Sequence, residues 1–158
     1  MSAPSTRPSS APKRCRKPEQ EILMANHFKL EIVTPQGVKF DADVESVTCP
    51  GKQGRFQVLH NHAPFLSSLE IGLMKVVDAE GKEHTYAVSG GISQMFHNSM
   101  RIIADTAELA TNINLERARS AQQRAEERLK NREEGIDQDR ARIALMRAVN
   151  RIKAVERV

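Results

Sequence analysis

Tryptophan is absent from the 158 residues, tyrosine occurs once, and aromatic side chains make up only 4% of the chain. With 39% hydrophobic residues, such a composition describes a soluble protein with a modest core. The two cysteines, Cys15 and Cys49, form no C-x-x-C pair, which excludes a disulfide framework and implies a reducing compartment. Long apolar runs are missing too. The longest stretch without Asp, Glu, Lys or Arg runs from His84 to Met100, and its Gly, Ser, Gln, Asn and His content keeps it from spanning a bilayer. Signatures of covalent chemistry are also lacking. There is no G-x-S-x-G, no reactive cysteine beside a histidine and no G-x-x-x-x-G-K-[ST]. No catalytic residue is expected.

What the chain does have is charge, unevenly placed. Residues 1–23 carry five basic and two acidic side chains, residues 24–113 seven and ten, and residues 114–158 twelve and eight. The first segment is rich in Pro, Ser and Arg and has no apolar core of a secretory signal. Prolines at 4, 8, 12 and 18 also oppose the amphipathic helix of an organellar transit peptide. A disordered basic tail over residues 1–25 is the expectation, with Met24 as an alternative start.

Residues 26–110 alternate with the period of β-strands. In "FKLEIVT", Phe28, Leu30 and Ile32 face one way and Lys29 and Glu31 the other. "PQG" supplies a turn, and Val38, Phe40, Ala42 and Val44 then alternate with Lys39, Asp41, Asp43 and Glu45. Val47 and Cys49 fall on the opposite parity, which predicts a bulge near Glu45–Ser46. "PGKQG" reads as a loop, "DAEG" as a turn, and "HNS" as the tip of a last hairpin. The paired glycines of "SGGIS" are expected to break a strand at a bulge or tight corner, since they do not open a helix. Eight or nine short strands would make an antiparallel β-sandwich.

From residue 111 to 158 the period becomes helical. Asn114 is a plausible N-cap, followed by Ala118, Ala121, Ala125 and Leu129 at helical spacing. "NREEG" breaks the pattern at Gly135, and Asp137 can cap a second helix with Ala141, Ala144 or Leu145, Ala148, Ile152 and Val155 as its stripe. The whole is therefore an α+β chain, a sandwich followed by an antiparallel helical hairpin. Alanine seams bring backbones close while burying little apolar area, so the hairpin should hold its own sandwich weakly.

Two side-chain patterns invite a site. The first is His60 and His62, which share one side of a strand, yet nothing near them supplies a third or fourth metal ligand at usual spacing. A structural role is preferred. The second is a set of arginines, Arg117, Arg119, Arg124, Arg128 and Arg132 on the first helix and Arg140, Arg142, Arg147, Arg151 and Arg157 on the second. A solvated face with i,i+4 partners is the plain reading. Nucleic acid lacks the interleaved aromatics it would need. An acidic protein surface, or phosphates held by arginine forks, stays open.

The order of four motifs points further: P-G-x-x-G and N-H-A-P within "VTCPGKQGRFQVLHNHAPFLSSLEIG", then V-S-G-G in "YAVSGGISQMF", then A-D-T-A-E in "RIIADTAEL". With the basic hairpin after them, residues 26–157 resemble the epsilon subunit family of bacterial and chloroplast F-type ATP synthases. The resemblance implies a non-catalytic rotor part, peripheral on the cytoplasmic face of the bacterial inner membrane. Its sandwich would bind the gamma subunit and rest on the ring of c subunits through Gly51, Lys52, Gln53, Gly54 and Arg55, where many relatives carry an acid at the position of Arg55. The hairpin would fold on the sandwich or extend into the alpha/beta catalytic head and block ATP hydrolysis, with Arg140, Arg142, Arg147 and Arg151 meeting acidic surfaces there. Some relatives bind ATP through [I/L]-D-x-x-R-A; "INLERA" keeps Arg117 but has Asn114 for the Asp, which makes regulatory ATP the sole cofactor to consider. The resemblance also implies no metal, a Pro usual at His60, and a main-chain hydrogen bond for His62. The rival reading is a free-standing nucleotide- or metal-binding β-protein.

Overall fold

The computed structural model describes residues 26–130 and 137–157. The expectations for the tail, Arg132 and the "NREEG" break at Gly135 lie outside these residues. Among the described residues, seven strands, β1 (Phe28–Thr34), β2 (Gly37–Gly51), β3 (Gly54–Leu59), β4 (Phe65–Asp78), β5 (Glu83–Phe96), β6 (Ser99–Ala104) and β7 (Ala107–Leu109), precede a 3-10 turn at Ala110–Asn112. Two helices follow, α1 (Leu115–Lys130) and α2 (Gln138–Val155).

Neighbouring strands run β1-β6-β5-β4-β2-β3, β1 also pairs β2, and β7 pairs β5. The sheet therefore closes on itself as a flattened barrel, the sandwich expected from the alternation. Closure needs β2 to change partner. Its first half lies against β1 and its second against β4 and β3, with the register shifting between Val44 and Ser46 where the parity change predicted a bulge. One pairing departs from the antiparallel expectation: β1 and β6 run parallel, Lys29 opposite Ser99 through Val33 opposite Ile103. Four antiparallel pairings, β1 to β2, β2 to β4, β4 to β5 and β5 to β6, lead from the first strand to the sixth, and an even number of reversals leaves the two parallel.

The core is aliphatic and sulfur-rich, with Leu30, Ile32, Val47, Met74, Met100 and Ile102 all fully buried. Each such side chain contributes roughly 1.5–3 kcal/mol of burial free energy. Cys49 belongs to this core, and burial pushes its thiol up to about 12, so it is no nucleophile at neutral pH.

Three expectations need correction. Val38 is 59% exposed and Ala42 is exposed too, because that half of β2 has only β1 beside it and overhangs the core; Phe40 is half-buried and Val44 is buried. The strands are also fewer and longer than expected. Finally, the glycine pair does not break β5. Gly90 and Gly91 take φ of 108° and 139°, and pairing continues through them, first with β7 and then with β6. The glycines make a corner within one strand.

The β4–β5 turn shows how a local carboxylate closes such a sheet. One Asp78 oxygen accepts from the Glu80 and Lys82 amides at 3.0 and 2.9 Å, and the other accepts from His84 Nε2 at 2.8 Å. The His84 hydrogen bond, then those amides, hold the Asp78 carboxyl below its ordinary range. A depressed folded-state pKa contributes stability above the usual carboxylate range and loses it as pH falls through the lowered value. Between pH 5 and 3 the thermal midpoint of the natural chain should therefore fall more than that of D78N. Parallel curves for the two would show that the turn is closed by something else.

Candidate functional site

The two helices are set by their caps and by alanine. The Asn114 side-chain oxygen accepts from the Arg117 amide at 2.9 Å, and Asp137 accepts from the Asp139 and Arg140 amides, both at 3.1 Å. Ala118 and Ala125 on α1, with Ala141 and Ala148 on α2, are buried, while Ala144 is exposed and Leu145 half-buried, so Leu145 takes the seam position.

Among the described residues, a small seat joins this hairpin to the sandwich, and α2 makes most of it. Leu73, Ala87, Ala110 and Ala154 pack together there, with Ile113 beside them. Polar contacts surround this patch. Asn150 Nδ2 donates to the carbonyls of Gly72 at 3.0 Å and Val88 at 3.2 Å. The Arg151 guanidinium meets both Glu108 oxygens, with Nε donating at 3.1 and 3.0 Å. Arg147 approaches Asp105 more loosely at 3.8 Å, and its Nε is buried without a partner.

The four arginines singled out in the sequence therefore do not form one comb. Arg147 and Arg151 point at the sandwich, whereas the Arg140 side chain is 87% exposed beside Asp137 and Arg142 is exposed. Asn114 and Arg117 line a hollow of about 260 Å³ with Glu108 and Arg151. Its polar groups are largely occupied, Asn114 by the cap and Arg151 by Glu108. A larger hollow of about 460 Å³ between the helices gathers Arg124, Arg128, Arg140, Arg147 and Arg151. Arg124 and Arg128, four residues apart on α1, therefore converge with arginines of α2 on one hollow.

On the sandwich, Gly51 and Gly54 close the β2–β3 turn around Lys52 and Gln53, and Arg55, the second residue of β3, is exposed. A side chain at Gly51 would meet the Gly54 carbonyl at 2.7 Å, so the turn requires glycine there. Arg55 also edges a groove of about 430 Å³ shared with Met146, Lys153 and Arg157 of the hairpin. The outer face of β4, β5 and β6 carries exposed Leu66, Ile92, Phe96 and Ile103, with Ile92 and Ile103 directly paired. Composition gave no warning of this apolar patch, because alternation alone does not say which face is covered.

The histidines hold turns. His60 Nδ1 donates to the His27 carbonyl at 2.8 Å, and His62 Nδ1 donates to the Ala63 carbonyl at 2.8 Å with its ring edge-on to Phe65. Asn61, His97 and Asn98 take positive φ nearby, and the Asn61 amide donates to the Asn98 side chain at 2.9 Å. Among the described residues, no three His, Cys, Asp or Glu side chains gather as metal ligands.

Residues 27–110 match the family model described as the ATP synthase delta/epsilon chain beta-sandwich domain, and residues 111–156 match the long alpha-helix domain of the same chain. The chain belongs to the ATP synthase delta/epsilon family. Among its relatives, the ATP synthase epsilon chain of Desulforamulus reducens is 44% identical over 133 residues, covering 84% of this chain and 100% of that one. The epsilon chain of Desulfitobacterium hafniense is 46% identical over 131 residues, covering 83% and 98%. In fold, the chain is similar to one in the Euglena gracilis mitochondrial ATP synthase OSCP/F1/c-ring structure, with a TM-score of 0.73, 20% identity and coverage of 96% and 91%. As an epsilon-type member of the family, it is a non-catalytic subunit of the ATP synthase central stalk. Among the described residues, no helix is long and apolar enough to cross a membrane.

Proposed function

We propose that the sandwich is the fixed coupling piece of the rotor and the hairpin its movable brake. The apolar face of Leu66, Ile92, Phe96 and Ile103 binds the gamma subunit, since a patch of that kind on a soluble domain marks a protein contact. The turn Gly51–Arg55 rests on the ring of c subunits. Lys52 and Arg55 bring positive charge there, so their partner groups on the ring are acidic or main-chain carbonyls. These contacts hold the chain at the periphery of the cytoplasmic face of the bacterial inner membrane.

One observation carries the two-state reading of the hairpin. Its seat is a small apolar patch, mostly alanine, ringed by polar contacts, so docked and undocked states differ by little free energy. Undocked, the hairpin presents Arg140 and Arg142, together with the freed Arg147 and Arg151, to the acidic lining of the alpha/beta head. ATP binds the hollow at Asn114 and Arg117 weakly, because the helix start offers an amide where a carboxylate would orient the arginine.

Co-purification tests the gamma contact. The natural chain should retain gamma and the catalytic subunits under gentle extraction, whereas I92E/I103E, folded by circular dichroism, should lose them. Retention by that variant would place gamma elsewhere on the sandwich.

A further inference from the structure

Alanines are too small and too alike to fix where a helix sits, and they supply most of the apolar seat beneath α2. Asn150 is different. It is 8% exposed, faces the sandwich, and gives both hydrogen bonds of its amide nitrogen to main-chain carbonyls. Gly72 and Val88, which own those carbonyls, are register partners on β4 and β5, so the amide bridges two strands at one place. Sliding α2 by a turn, about 5.4 Å, would bury the amide without partners. Arg147 and Arg151, four residues apart, bracket Asn150 and reach Asp105 and Glu108 at the β6–β7 corner.

An amide also releases differently from an aliphatic side chain. In the undocked state water replaces both of its hydrogen bonds, so little free energy opposes departure. A leucine in its place would have to expose its whole apolar surface. We infer that Asn150 is the release latch of the hairpin, a pin that admits one docked register and keeps the docked state only slightly below the free one. The inference rests on the two-state reading above and adds to it the residue that sets the balance.

Spin-label distances in the full chain test it. Labels go on E80C and A144C, both exposed positions, in a chain carrying C15S; Cys49 stays buried and unlabelled. The natural residue at 150 should give a dominant narrow distance. N150A should raise the undocked-to-docked ratio about tenfold, the worth of two lost hydrogen bonds. Alanine is the better helix former, so such a change cannot come from a weakened helix. N150D, which sets a carboxylate against two carbonyl oxygens, should raise the ratio further, and R142A on the exposed side of α2 should leave it unchanged. Identical distributions for the natural chain, N150A and N150D overturn the latch. A shifted distribution without any change in ATP hydrolysis by the assembled complex supports the latch and removes the brake instead.

Discussion

Replacing Gly91 with alanine is expected to destabilise the sandwich by about 3–5 kcal/mol, summing backbone strain and forced overpacking. The backbone there has φ of 139°, and an added Cβ would lie 2.1 Å from the Ile103 carbonyl oxygen and 2.8 Å from the Ala104 Cα. Both are main-chain atoms of the paired strand, so no side chain can swing aside. The loss is a large part of the roughly 5–15 kcal/mol that holds a domain together. Gly37 is the control. Its φ of 116° is also strained for alanine, but nothing lies within 4 Å of the added atom. G37A should therefore cost only about 1–2 kcal/mol. Urea unfolding of the two variants separates them; equal midpoints would mean that β5 and β6 can part at no cost.

That glycine corner also shows where local pattern stops informing. Alternation located β1, the bend in β2 at Ser46 and the last hairpin, because one face of each is buried and the side-chain period reports it. The same alternation misplaced Val38 and Ala42, since burial of a strand depends on a second layer that its own residues do not encode. Paired glycines signal unusual backbone but not whether pairing survives it. The parallel contact of β1 with β6 joins residues about seventy positions apart and leaves no local trace. Both helix caps were legible because a cap is chemistry within three residues. The seat of the hairpin was not: Asn150 falls outside the apolar stripe of its helix, and Glu108 lies 43 residues from Arg151.

Charge changes on the two sides of that seat should move ATP hydrolysis in opposite directions. R140A/R142A removes guanidiniums that are exposed when the hairpin is docked, so docking is untouched and only the grip on the catalytic head weakens. Hydrolysis by the complex should rise severalfold. E108Q instead removes the carboxylate that holds Arg151. The side chains of this pair are 30% and 37% exposed, which limits its worth to about 1 kcal/mol, or a factor near five in the undocked population. Hydrolysis should fall accordingly. Replacing Arg140, Arg142, Arg147 and Arg151 together mixes the two effects, because R151A loosens docking and grip at once. Salt should relieve the natural brake, since exposed contacts are screened within about 8 Å at 0.15 M while the partly buried Arg151–Glu108 pair is screened less.

The most direct measurement is ATP hydrolysis by the purified synthase carrying either the full chain or one ending at Ala110. The truncation leaves β1 to β7 and the exposed apolar face intact, so assembly and ATP synthesis should continue. Hydrolysis should rise severalfold at low salt, and the difference should shrink as salt is added. Equal hydrolysis by the two complexes at low salt would contradict a braking hairpin and leave it a passive arm of the stalk.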